Sequence, residues 1–248
     1  MTGHGQPLHG RDRGRAFVGT SGFAYPAWAP RFYAAGSRSD ALLPSYATRL
    51  NACELNNTFY QQPKEERIRA WLAATPDSFR FSVKAQRGGS LRALFTDAPG
   101  TLAWLTAPYR FFGERLGSVL FRVPDPVRRD DEALARMLAA WPQELPLTVE
   151  FQHESWRDDG VHALLMEHGA ALCATDLDGM HPPDLRVTAP FLYLRLRRDS
   201  YRAKDLAAWT ARVEPFLADG LDVYVFFRHD ADGTSALRAE TFARMLGG

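Results

Sequence analysis

Short apolar runs rich in β-branched and aromatic residues recur along the chain, each followed by a polar turn and a segment with helical spacing of its apolar positions. The eight runs begin near Phe17, Ala52, Phe79, Ser118, Leu147, Ala170, Phe191 and Asp222. From the first to the last, seven intervals average about 29 residues, the length of one strand, loop, helix and loop in a parallel βαβ unit. Runs such as VLFRV, LTVEF and VYVFF do not alternate between polar and apolar, as expected of parallel strands buried on both faces. Eight consecutive units predict an α/β fold closed into a (β/α)8 TIM barrel: a single domain over residues 17–248 behind a tail, residues 1–16, read as disordered.

The segments between runs carry helix signals. Pro63 precedes KEERIRAWLAA, and Asp130 and Asp131 precede EALARMLAAW, where acids favour the positive end of the helix dipole. Gly169 and Gly220 follow apolar-periodic stretches at places where a left-handed residue stops a helix. Pro108 predicts a kink or early stop in the segment 100–115. Between Asp176 and Pro190 the run DLDGMHPPDLRVTAP has too many breakers for a full helix, so the sixth unit is expected to be irregular.

Composition narrows the function only slightly. Thirty basic and twenty-nine acidic residues leave a net charge of +1, which gives no global attraction for nucleic acid or an anionic membrane, so any affinity for polyanions must be local. Cys53 and Cys173 stand in apolar runs, as buried reduced thiols do. The first residues lack the apolar stretch of a signal peptide, and no window approaches the ~20 apolar residues of a membrane span. These features predict a soluble, cytoplasmic protein with no membrane partner.

A barrel gathers the carboxyl ends of its strands on one face, so residues there are the candidates for chemistry. The first strand delivers Gly19-Thr20-Ser21-Gly22 with Tyr25 and Trp28 behind, and its glycines would let backbone approach a ligand. The second delivers Glu54, Asn56, Asn57, Thr58 and Tyr60, with Glu54 and Asn56 on one side by the period of two. The third ends at Lys84, one of only three lysines, for which Glu54 is the natural partner. The fifth offers Glu150, then Gln152, His153, Glu154, Ser155 and Trp156, and an acid inside a barrel strand is costly unless paired. Asp176 ends the sixth strand, Arg195 lies in the seventh with Arg197 and Arg198 beyond it, and Arg228-His229-Asp230 follows the eighth.

Several spaced motifs resemble a known family: GTSGFAYPAW at 19–28, CELNNTFY at 53–60, FRFSVK at 79–84, EFQHESW at 150–156, and Tyr193-Leu194-Arg195. Together they resemble the YecE-like domain of unknown function, in order from about 17 to 246. The resemblance implies a TIM barrel of the prokaryotic cytoplasm without an established activity, and a mouth similar to that of endonuclease IV has suggested nucleic-acid binding for the family. Ser21, Tyr25, Trp28, Glu54, Asn56, Thr58, Tyr60, Lys84, Glu150, His153, Trp156, Asp176 and Arg195 match its motif positions. The chain departs from the pattern at Gln152, Arg197-Arg198 and Arg228-His229, positions that bear on ligand specificity.

Three readings follow. In the first, Lys84 and Arg195, with Arg122, Arg197, Arg198 and Arg228 after strands four, seven and eight, bind a phosphate-bearing or other small anion, with Glu54 or Glu150 as general base, His153 as acid and Asp176 beside them, for a possible hydrolase. In the second, Glu54, Glu150, Asp176, His153, His229 and Asp230 serve a metal-assisted phosphodiesterase, although no HExxH, His-x-His or DxDxDG motif is present. In the third, a non-catalytic nucleic-acid binder, the basic loop 86–92 and Arg197-Arg198 act with Tyr25, Trp28, Tyr60 and Trp156 as stacking platforms. No GxGxxG, Walker A or GxSxG motif points to a nucleotide cofactor or a serine hydrolase, so neither a cofactor nor a metal is assigned.

Overall fold

The computed structural model describes residues 12–247. Eight strands, β1 (Ala16–Ser21), β2 (Ala52–Leu55), β3 (Arg80–Lys84), β4 (Leu116–Val123), β5 (Leu147–Phe151), β6 (Ala171–Asp176), β7 (Phe191–Leu196) and β8 (Asp222–Phe227), pair in parallel in chain order, and β8 closes on β1. Every strand begins within two residues of the start that the apolar runs predict.

Strand alternation divides the apolar residues between two cores. Phe17, Leu120, Phe191, Tyr193, Tyr224 and Phe226 fill the lower barrel interior, while their sequence neighbours Val18, Val119, Leu192, Leu194, Val225 and Phe227 face outward under the helices. Because both faces are buried, the strands have no polar side to display, which is why their sequences read as continuous apolar runs.

The outer layer contains α1 (Leu42–Ala47), α2 (Glu65–Ala73), α3 (Arg87–Phe95), α4 (Ala98–Thr106), α5 (Asp131–Ala139), α6 (Asp159–Glu167), α7 (Ala203–Ala218) and α8 (Thr234–Met245). Asp130 caps α5 by accepting from the Ala133 amide at 2.8 Å, and Gly169 and Gly220 take left-handed φ values of 62° and 86° after α6 and α7. The segment containing Pro108 leaves the α-helical path at Ala107 and continues as a 3-10 stretch to Arg115. After β6 there is no helix: residues 177–190 run as an extended strap to β7.

Of the tail read as disordered, residues 1–11 lie outside the described residues. Its final part is fixed to the base of the barrel: the Gly14 amide donates to Leu217 O at 2.8 Å, the Arg15 amide donates to Asp222 at 2.8 Å, Arg13 pairs with Glu214, and β1 already includes Ala16. Gly19 also has a different role from close approach to a ligand. A Cβ there would lie 1.9 Å from the Ala52 carbonyl oxygen, so the missing side chain makes room for β2. Among the described residues, no helix is long and apolar enough to cross a membrane.

Candidate functional site

At the carboxyl end of the barrel, inward-facing polar residues replace the apolar interior. Arg195 on β7 is the centre of the cluster and is 1% exposed. Its Nη1 donates to both oxygens of Glu150 at 2.8 and 2.9 Å, and its Nη2 donates to Glu54 Oε1 at 2.8 Å. Ser21 and Tyr193 complete the shell of Glu54 through hydroxyl donors, each at 2.8 Å. Thr175 donates to Glu150 Oε1 at 2.9 Å, and Arg122 Nε lies 3.3 Å from its other oxygen.

Strand register explains the gathering. Ser21 pairs with Glu54 across β1 and β2, Arg122 with Glu150 across β4 and β5, and Thr175 with Arg195 across β6 and β7. The period of two then adds Tyr193 and Arg197 to the face that Arg195 occupies. Two carboxylates withdrawn from water would each cost several kcal/mol if alone, and one planar guanidinium with paired donors satisfies both.

The electrostatics follow from this bracing. Burial pushes the Glu150 carboxyl up, but Arg195 outweighs it and holds the group at about 2; Glu54 is likewise brought below its ordinary range by Arg195, Ser21 and Tyr193. Burial alone would lower Arg195, yet Glu150 and Glu54 hold it well above its ordinary value. All three stay charged near neutrality.

Lys84 does not form the expected pair with Glu54, because Arg195, Tyr193 and Ser21 already occupy that carboxylate. Its Nζ instead lies over the Phe59 ring, 4.0 Å from the centroid. Burial first, and Arg195 next, push the ammonium down to about 8. Arg197 is also lowered by burial and by Arg195. Neither Lys84 nor Arg197 makes an ion pair among the described residues.

A second group lies on the β1 and β8 side. Tyr25 donates to Ser21 O at 3.1 Å and stacks on His229 with ring centroids 4.8 Å apart. Burial lowers His229, with Arg197 and Arg228 acting in the same direction, so the imidazole is neutral near pH 7.

Other predicted residues do not join the cluster. Asp176 faces outward, where it accepts from Arg198 Nε at 3.0 Å, Tyr201 at 2.9 Å and Trp209 at 3.1 Å, so it ties β6 to the wall beyond β7. His153 Nδ1 accepts from the Ser155 amide at 3.0 Å and caps a short 3-10 turn. Trp28 is buried with its indole N–H on Asp230 O at 3.0 Å, and Trp156 reaches Val127 O at 2.9 Å. Thr58 clamps the β2 turn to β3, its one hydroxyl proton shared between Leu55 O and Lys84 O, each 2.7 Å away. Tyr60 is 80% exposed at the rim, and Arg228 pairs with Asp199 at 3.2 Å.

Thr175 is a participant that the sequence reading missed, and Tyr193 entered it only as part of a motif, not as a site residue. Their signal is positional: Tyr193 lies two residues before Arg195, and Thr175 lies one before the expected acid on the adjacent strand. Among the described residues, no three His, Cys, Asp or Glu side chains come together as a metal site. Glu54 and Glu150 have their oxygens turned to Arg195, and Asp176 has its own turned away from the barrel, so the residues present do not fit the metal-assisted reading.

A DUF72 family protein of Thermotoga maritima shares this fold with a TM-score of 0.84 and 24% identity, covering 94% of this chain and 100% of that one. A DUF72 family protein of Enterococcus faecalis V583 follows with a TM-score of 0.70 and 19% identity, over 95% and 97% of the two chains. No curated protein matches the chain. The family described as "Protein of unknown function DUF72" matches residues 17–248, which takes in the whole barrel, and the chain therefore belongs to the DUF72 family, the family of YecE.

Proposed function

We propose that the barrel mouth binds a phosphate-bearing or other small anionic ligand. One observation carries this reading: four cations, Lys84, Arg122, Arg195 and Arg197, share the mouth with only two carboxylates, both committed to Arg195, which leaves an excess of two positive charges. A ligand oxyanion there would meet charge-assisted donors in a partly dehydrated site.

Hydrolysis has less support than binding. Glu150, held at about 2, has no proton to give, and neither oxygen of Glu54 is free of a donor, so the two acids serve as fixed electrostatic anchors. His153 is turned to its own turn. A nucleic-acid backbone is the second reading, favoured by exposed Tyr60 and by the Tyr25–His229 stack beside the cations.

Titration calorimetry with inorganic phosphate on the intact chain tests the proposal. Phosphate is expected to bind, and Lys84→Ala and Arg197→Ala each to weaken it by about tenfold, as loss of one charge-assisted contact implies. Affinity unchanged in both variants would refute the site. A single-stranded oligonucleotide whose binding depends on Tyr60 and falls steeply with salt would favour the second reading.

A further inference from the structure

The wall of the barrel opens between β5 and β6. These strands pair only at Thr148–Ala171 and Val149–Leu172, although β5 continues to Phe151 and β6 to Asp176. Their other edges stay paired to the end, with β4 as far as Phe151 and with β7 as far as Asp176. The upper halves therefore splay, and the Thr175–Glu150 side-chain bond at 2.9 Å crosses the gap on the inner side.

The irregular sixth unit places no helix after β6, so the outer side of this gap is flanked on one side only, by α6, whose Asp159 and His162 line the space. Leu172 is only partly buried, whereas the outward residues Val149 and Leu194 on the flanking strands are 0% exposed. The strap 177–190 arches over the space instead. It is pinned by Arg212 on Pro183 O, by Arg186 on Asp159 at 3.1 Å and by the Asp199 amide on Asp178 at 2.8 Å. Beneath it lies a cavity of about 840 Å³, within the range of small-molecule sites.

This cavity has two chemically distinct ends. Arg122, Glu150, Arg195 and Arg197 line the end in the barrel mouth. Leu172, Ala174, Leu177, Met180, Pro183 and Trp156 give the other end an apolar strip, with Leu177 and Met180 exposed, while Asp159, His162, His181 and Arg186 line its rim. Arg195 Nε, buried at the charged end, has no hydrogen-bond partner. A bare phosphate would leave water against the apolar strip of the outer arm, a poor use of a preformed space.

We propose that the ligand is an aryl anion: an aromatic ring seated under the strap against Leu172, Ala174 and Leu177, joined through the β5–β6 opening to a phosphate or carboxylate held by Arg122, Arg195 and Arg197. This rests on the anion-binding reading of the mouth and adds the class of ligand.

Calorimetry on the intact chain compares 1-naphthyl phosphate with inorganic phosphate, and 1-naphthoate with acetate. At least one ring-bearing anion is expected to bind about tenfold or more tighter than its ringless parent, from burial of apolar ring surface. Leu177→Asp, at an exposed strap position, and Ala174→Trp, which fills the arm, should each remove that gain while phosphate binds as it does to the unaltered protein. Phosphate binding without any gain from the ring, or a gain that survives both substitutions, overturns the inference and leaves the anion site standing. Failure of every anion to bind removes the anion site and this inference together.

Discussion

Replacing Arg195 with methionine keeps most of the side-chain volume and removes the charge that Glu54 and Glu150 share. Both carboxylates are nearly inaccessible, at 0% and 4% exposure, so water cannot take over the lost bonds. Removing one partner of a buried ion pair typically costs about 3–5 kcal/mol. The titration of Glu150 gives a similar figure independently: lowering its carboxyl from 4.5 to about 2 corresponds to about 3 kcal/mol of folding stability at neutral pH. For a chain of this length each kcal/mol moves Tm by about 2–4 °C, so Arg195→Met should lower Tm at pH 7 by on the order of 10 °C. The pH dependence has a definite sign. In the unaltered protein both carboxyls sit below their unfolded values, so their stabilisation is complete above about pH 4.5 and is lost as the pH falls toward 2. In the variant, burial raises Glu54, which has lost its cation, while Arg122 still lies 3.3 Å from Glu150, so stability falls as pH rises through about 4.5 chiefly through Glu54. Denaturation followed at about pH 4 and about pH 7 should therefore show a deficit that widens toward neutrality. An equal deficit at both, or one below about 1 kcal/mol at neutrality, would refute the bracing role assigned to Arg195.

Two further outcomes follow from the geometry. Phosphate affinity should fall as pH rises through about 8, where Lys84 loses its proton, and calorimetry of Lys84→Ala should show that inflection gone. Asp176→Asn should destabilise by about 2–3 kcal/mol, because three donors from Arg198, Tyr201 and Trp209 converge on one carboxylate; denaturation monitored by tryptophan fluorescence checks this, with phosphate affinity expected to be unchanged.

The barrel was legible because its strands are apolar on both faces and are spaced by helices of ordinary length, which leaves little freedom of topology. The site was legible in composition but not in pairing. Glu54, Glu150 and Arg195 stand out as charges inside apolar strands, yet the partner of Glu54 depends on which residue crosses the barrel, and reach across a closed sheet is not encoded in neighbouring strands. Lys84 is on the adjacent strand and loses to Arg195, whose planar fork satisfies two acids at once. Asp176 illustrates the opposite limit. Its place at a strand end suggests chemistry, but the alternation that brings Thr175 inward turns Asp176 out toward Trp209. The β5–β6 opening was hinted at only by the breakers after Asp176, since loss of strand pairing has no residue signature of its own.

The brace of Glu54, Arg195 and Glu150 also constrains how this mouth can diversify. Replacing any one of the three leaves a buried partner short of a charge, so single-step divergence there carries a stability cost of about 3–5 kcal/mol. Most of the rim carries no such lock, Arg198 on buried Asp176 being the exception. Gln152, Arg197, Arg228 and His229 lie outside the three-residue keystone. Substitutions in the collar can therefore reshape the opening while the same floor is kept.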